Sequence, residues 1–221
     1  MLAAHGWLSH APDAFRGAVV KGACWEMYEA GETIVCAGDD NSGVFGIASG
    51  AVAFTTGWGA GDSRLTAILH AGTWFGLAPL FHGGTYSGNS VARSATLVAH
   101  LSRSAIDEIV SHHPGWWRFF GMMALSYGET AAGMVSDLLI PDSDRRCIAT
   151  LLRLAGCRRN TENPVPAVAI CTQDELGALA NMSRNVVGRV LHSIEVAGLI
   201  SLEYRLIHIH KPARLREMVD A

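Results

Sequence analysis

The residues best equipped for recognition chemistry are Arg184, Asn185 and Arg189. A guanidinium carries a planar fork of donors that matches guanine O6 and N7, and an asparagine amide can do the same for adenine. Positions 185 and 189 are four apart, so on a helix they share a face, with 184 beside them. The stretch 172–200, TQDELGALANMSRNVVGRVLHSIEVAGLI, is expected to supply that helix. Thr172 and Glu175 form a T-x-x-E capping box, and Leu176 and Leu179 give a short helix its apolar face. Asn181-Met182-Ser183 breaks it, with Ser183 as the cap of a second helix. Val186, Val187, Val190, Leu191, Ile194 and Ala197 are expected to point inward, with Gly198 as the C-terminal cap. A short helix, a tight turn and a longer helix describe a helix-turn-helix, whose second helix inserts its N-terminal end into the major groove.

The following segment reads as a hairpin wing. A run over 199–202, a turn at Glu203-Tyr204-Arg205 and a run over 206–210 place Arg205 at the tip and Lys211 just beyond, where both could touch phosphate. Ile207 and Ile209 alternate with His208 and His210. Two alternate strand histidines with no third ligand read as solvent-facing rather than as a metal site.

The rest of the chain must position this module. Residues 1–143 hold 6 Lys+Arg and 12 Asp+Glu, and residues 144–221 hold 11 and 8, so the balance moves from −6 to +3. An acidic front and a basic tail suggest two modules with two tasks. At 221 residues and 17% charged residues, the chain is long and apolar enough for one large domain or two small ones. No apolar run approaches the roughly 20 residues that cross a bilayer. The N-terminus lacks the basic start and apolar core of a signal peptide, so the expected location is the cytoplasm, with no membrane partner. Five cysteines with no close pairs fit neither a disulfide framework nor a zinc or iron–sulfur site. An enzyme with metal-bound histidines is disfavoured because His70, His82 and His100 are scattered. A β domain that binds a small molecule and uses its basic tail for protein contacts stays open as a second class.

Residues 11–22 read as a short helix. From 25 to about 102, short apolar runs alternate with Gly-containing turns at intervals of roughly ten residues, as in a small β sandwich or barrel. Strong turns are expected at Gly38-Asp39-Asp40-Asn41 and at the hairpin tip 59–63. A short helix follows, capped by Ser102 or Ser104. Over 116–139, Trp116, Phe120, Met123, Tyr127, Ala131 (or Thr130), Met134 and Leu138 step by threes and fours, an a/d seam. The helix would be about 36 Å long, more than a small β domain needs for cover, which points to pairing with a twin. Gly121, Gly128 and Gly133 weaken it by roughly 1 kcal/mol each relative to alanine, so close helix approach or a need to adjust is expected there. Ile140-Pro141-Asp142 ends it, a hinge is expected near 139–143, and Asp142 or Ser143 could cap a helix over 145–156. Residues 158–167 read as a loop.

These features together resemble the Crp/Fnr superfamily of bacterial transcription regulators, over about residues 7–211. YEAGETIVCAGDDNSGVFGIASGAVAF resembles the first strands of that family's cyclic-nucleotide-binding β roll, HAGTWFG its glycine turn before the phosphate cassette, ARSATLVAHLS its closing strand, and SRNVVGRVLHSIEVAGLI its recognition helix. The implied fold is α+β. A jelly-roll β-roll sensor domain would span 1–115, a long dimerisation helix 116–141 and a winged helix-turn-helix 142–221. The implied partners are double-stranded DNA, a second copy of the chain and RNA polymerase. Arg184 and Arg189 would contact DNA and Thr172 a phosphate; Asn185 stands where many members have Glu, so that base preference should differ.

The resemblance also implies an effector pocket around Gly76, Leu77, Tyr86 and Ser87, with Tyr127 and Thr130 from the long helix. The sequence departs from the family there. Leu77 follows Phe75-Gly76 where nucleotide-binding members carry a ribose-binding Glu, and Tyr86 lies near the position of the phosphate-pairing Arg. A buried phosphate without a cation costs several kcal/mol, so dependence on cyclic AMP is not expected. The pocket could be filled by its own side chains, take an apolar or aromatic effector or an atypical nucleotide, or hold haem through His70, His82 or Cys36. No cofactor is expected on present motifs.

Overall fold

The computed structural model describes residues 2, 6–40, 43–57, 63–159 and 167–221. Parts of the expected turn at 38–41, the hairpin tip at 59–63 and the loop at 158–167 lie outside them. The chain forms two compact units, residues 1–129 and 130–221.

The first unit begins with a 3-10 turn (Gly6–His10) and helix α1 (Asp13–Gly22). Eight strands follow: β1 (Cys24–Tyr28), β2 (Thr33–Val35), β3 (Gly43–Ser49), β4 (Ala51–Thr56), β5 (Arg64–His70), β6 (Trp74–Phe75), then, after helix α2 (Ala78–His82), β7 (Gly88–Ala92) and β8 (Thr96–Ser102). They make two antiparallel four-stranded sheets, ordered β1-β8-β3-β6 and β2-β7-β4-β5, a β sandwich as the turn spacing predicts and the jelly-roll that the resemblance implies. Val35, Phe45, Ile47, Val52, Phe75 and Val98 form one apolar core with Tyr86. Helix α3 (Arg103–His112) is opened by Ser102, whose hydroxyl accepts from the Ala105 amide, so Ser102 and not Ser104 is the cap. A 3-10 turn (Pro114–Trp116) leads into the long helix α4 (Trp117–Leu138).

Helix α4 corrects one expectation. Phe120 and Met123 are wholly buried in the first unit with Trp7, Phe15, Trp74 and Phe119, and Tyr127 packs against this cluster. The front of the expected seam is therefore the unit's own core. A second row is exposed instead: Leu125, Gly128, Ala132, Val135 and Leu139, preceded by half-buried Gly121. Its steps of four and three repeat the heptad rhythm on another face.

In the second unit, Asp142 caps α5 (Ser143–Leu154) by accepting from the Arg145 amide at 2.8 Å. Then come β9 (Ala167–Ala169), α6 (Gln173–Leu179), α7 (Arg184–Val196), β10 (Ile200–Glu203), β11 (Leu206–Ile209) and α8 (Pro212–Asp220). β9 pairs with β11 to give the wing a third strand, so Ala167, at the end of the expected loop, is strand instead, and 168–169 extend a strand the spacing did not predict. Leu151, Leu152, Leu176, Leu191 and Leu215 are fully buried and join α5 to α8 in one helical core.

Candidate nucleic-acid interface and effector pocket

The helix-turn-helix is built largely by local contacts. Thr172 Oγ1 accepts from the Glu175 amide at 3.2 Å, and Glu175 Oε2 accepts from the Thr172 amide at 2.8 Å, a complete capping box. The turn passes close over α6: a Cβ at Gly177 would lie 2.7 Å from the Met182 carbonyl oxygen, so any larger residue would push the helices apart. Asn181 takes the left-handed conformation, φ 51°, which asparagine tolerates better than most residues. Ser183 sits at the N-cap of α7, but its side chain makes no capping bond, contrary to expectation. Val187, Val190, Leu191 and Ile194 are buried, Val186 is half-buried and Ala197 is exposed, so the inward face stops at Ile194. Beyond it, the Gly198 amide bonds Glu195 O at 2.8 Å and the Leu199 amide bonds Ile194 O at 3.0 Å, a Schellman stop.

With that face buried, Arg184, Asn185 and Arg189 are left exposed at the N-terminal half of α7. The two arginines have acidic neighbours that sequence reasoning missed. Arg189 makes two bonds to Asp144, at 2.8 and 3.2 Å, and Arg184 lies 3.7 Å from Asp174. At the wing tip, Arg205 (φ 60°) stacks its guanidinium over the exposed Tyr204 ring, 5.9 Å from the centroid. Lys211 is exposed just before α8. His208 faces Glu203 at 3.3 Å and His210 faces Ser201 at 3.0 Å. Among the described residues no three His, Cys, Asp or Glu side chains are grouped to hold a metal ion.

The expected pocket residues divide. Gly76 has φ 90°, and a Cβ there would stand 3.1 Å from Phe45 Cδ2 and 3.3 Å from Tyr86 Cε1. Leu77 is buried in the core beneath the helices. Tyr86 is 7% exposed, packs in the core with Phe45, and donates its hydroxyl proton to the Gly43 carbonyl at 3.0 Å. Ser87 is exposed. The Tyr127 hydroxyl donates to the Trp74 carbonyl. Thr130 is exposed and belongs to the second unit.

Burial pushes the Tyr86 phenol up to about 12, with the charge of Asp39 acting the same way. The fold thus holds this phenol neutral. Its contribution to stability is fully present below the ordinary value of 10 and fades as pH rises toward 12. An ultraviolet phenolate titration should show one late-ionising tyrosine fewer in Tyr86→Phe. If that variant keeps the same late steps, Tyr86 is solvated.

A β roll, a long helix and a winged helix-turn-helix with basic side chains on its second helix define the architecture of a sensor-linked transcription regulator. Residues 25–113 match the cyclic nucleotide-binding domain family, and residues 145–218 match the Crp-like helix-turn-helix domain family. Over 184 residues the chain is 25% identical to the cAMP-activated global transcriptional regulator CRP of Haemophilus influenzae, spanning 83% of this chain and 79% of that protein. It is 28% identical over 183 residues to the cAMP-activated global transcriptional regulator Vfr of Pseudomonas aeruginosa, spanning 80% and 84%. Its fold matches FixK2 from Bradyrhizobium japonicum with a TM-score of 0.71 at 19% identity, over 88% of this chain and 96% of that one. The chain belongs to the Crp/Fnr superfamily of transcription regulators. No described helix is long and apolar enough to cross a membrane.

Proposed function

We propose that this protein is a cytoplasmic, homodimeric regulator, not an enzyme, that reads a near-palindromic DNA site without cyclic AMP. The observation that carries the reading is the exposure of Arg184, Asn185 and Arg189 together on a helix whose opposite face is buried. Arg184 and Arg189 address guanines and Asn185 an adenine. Thr172, Ser183, Arg205 and Lys211 hold phosphates and make binding salt-dependent. Two such helices enter successive major grooves about 34 Å apart. RNA polymerase is the partner expected of a regulator in this family.

The exposed row on α4 supports the dimer. Glycine at 121 and 128 has open space where a Cβ would be, so a second helix can approach closely. Independence from cyclic AMP rests on what stands at the sensor positions. Leu77 and Tyr86 supply neither a ribose acceptor nor a cation for phosphate, and both are packed into the core. The relatives described as cAMP-activated share only about a quarter of their residues with this chain.

The test begins with selection of binding sites from a random duplex library, with cyclic AMP present and absent. Arg189→Ala is then expected to cost roughly 1–3 kcal/mol on the selected site and to relax preference at one base. An Arg189→Ala protein with unchanged preference would remove that residue from the reading set. A selected site bound only with cyclic AMP would overturn the independence.

A further inference from the structure

Arg189 does not point freely from the helix face it shares with Asn185. Its two terminal nitrogens both donate to Asp144, Nη2 to Oδ1 at 2.8 Å and Nη1 to Oδ2 at 3.2 Å. The end of the guanidinium, one of the edges that could straddle a guanine, is thereby occupied by a carboxylate of the same bidentate geometry. Asp144 lies in the first turn of α5, 45 residues earlier in the chain, and the second unit's packing brings it to the recognition helix. The same arrangement recurs more loosely at Arg184, with Asp174 from the first turn of α6 at 3.7 Å.

We infer that Asp144 is a specificity-determining residue: it engages Arg189 until a guanine in register replaces it, and so weakens binding to wrong sequences more than to the right one. This rests on the DNA-reading role proposed for Arg189. As an exposed ion pair, with the side chains 61% and 46% accessible, the contact contributes little by itself. Its effect comes from what DNA does to the exchange. A non-specific duplex offers Arg189 phosphates but no guanine in register, and it brings that dense row of phosphates toward the carboxylate. A correctly placed guanine returns both hydrogen bonds through O6 and N7. A repulsive element that only the right partner compensates raises discrimination at some loss of overall affinity.

The substitution Asp144→Asn is well suited to test this. It keeps the shape and an acceptor for the Ser143 hydroxyl, which donates to Asp144 Oδ1 at 3.1 Å, and it leaves the cap residue Asp142 in place. The full-length protein would be titrated with the selected operator duplex and a random-sequence duplex over a range of salt. Asp144→Asn is expected to bind random duplex roughly three- to tenfold more tightly at about 0.1 M salt, with its slope against log salt steeper by about one as Arg189 is freed for phosphate. Operator affinity should rise less, so the specificity ratio falls. Asp144→Glu should retain most discrimination, and in an Arg189→Ala background the Asp144→Asn slope change should vanish. Weaker operator binding with random-duplex binding unchanged would overturn the inference and make Asp144 a prop for Arg189. An unchanged ratio and slope would overturn it as well. Failure of the underlying reading is seen separately, as wild-type protein that does not distinguish operator from random duplex, or as Arg189→Ala with wild-type preference.

Discussion

Replacing Phe120 with alanine is expected to lower the stability of the first unit by about 3–5 kcal/mol, the range for deleting a fully buried aromatic ring. Phe120 has no exposed surface. Its ring lies 5.6 Å from Trp7, 5.6 Å from Phe15 and 5.7 Å from Trp117, centroid to centroid, in an aromatic cluster that joins α1, α4 and the N-terminal turn. Rigid rings on several sides cannot collapse into the space left behind, so the cavity cost adds to the lost transfer energy. Denaturant unfolding at several protein concentrations checks this, because a core defect lowers the midpoint at every concentration, whereas a dimer defect removes the midpoint's dependence on concentration. Leu125→Glu is the matched control. Leu125 is 70% exposed on the same helix, so its replacement should shift sedimentation toward monomer and change monomer stability by less than about 0.5 kcal/mol. If Phe120→Ala instead yields a stable monomer and Leu125→Glu stays dimeric, the faces of α4 are assigned the wrong way round.

Replacing Asp137 with alanine is expected to destabilise the second unit by about 2–4 kcal/mol. Its side chain is 6% exposed and receives two guanidiniums: Arg153 through Nε at 2.7 Å and Nη2, and Arg158 through Nε at 3.1 Å. Arg153 also donates to the Gly133 carbonyl at 2.9 Å, and Arg158 reaches Asp220 at 3.2 Å. Removing the central carboxylate strands two largely buried cations, a change that typically costs about 3–5 kcal/mol; the residual water access of both arginines puts this site at the low end. Asp220→Ala, at the exposed end of the network, should change stability by less than about 1 kcal/mol. Urea midpoints for the two variants check the contrast, and equal effects would mean that Asp137 is not the hub. The network ties the last turns of α4 to α5 and α8 across the expected hinge at 139–143. It also accounts for Gly133, where a Cβ would stand 2.8 Å from Arg153 Nη1. Close approach explains that glycine, although the approaching group is an arginine rather than a second helix.

The helix-turn-helix was legible because its signals are local. A capping box, a break at 181–183, a 3.6-residue apolar rhythm and a glycine stop all lie within thirty residues. The strand at 167–169 was not, because three residues among prolines become a strand only by pairing with β11. The long helix carries two apolar rows, and spacing alone could not say which one packs at home. Bulk decided: the aromatics fill the first unit's core, while glycine, alanine and aliphatic residues stay outside. The basic balance of the tail suggests a task of its own, yet Arg145, Arg146, Arg153, Arg158 and Arg216 donate to backbone or carboxylate groups inside the unit. The cations left for DNA are fewer than the count suggested.

By itself, then, the order of residues determined the long helix, the helix-turn-helix with its wing, the family and the helix that carries Arg184, Asn185 and Arg189, because caps, periodicity and turn chemistry act over a few residues. Only the folded chain decided that Tyr86 packs behind Gly76, that Phe120 belongs to a core and Leu125 to the surface, and that Asp144 faces Arg189. Those outcomes depend on volume and charge meeting between segments far apart in the chain, and short-range spacing carries no record of such meetings.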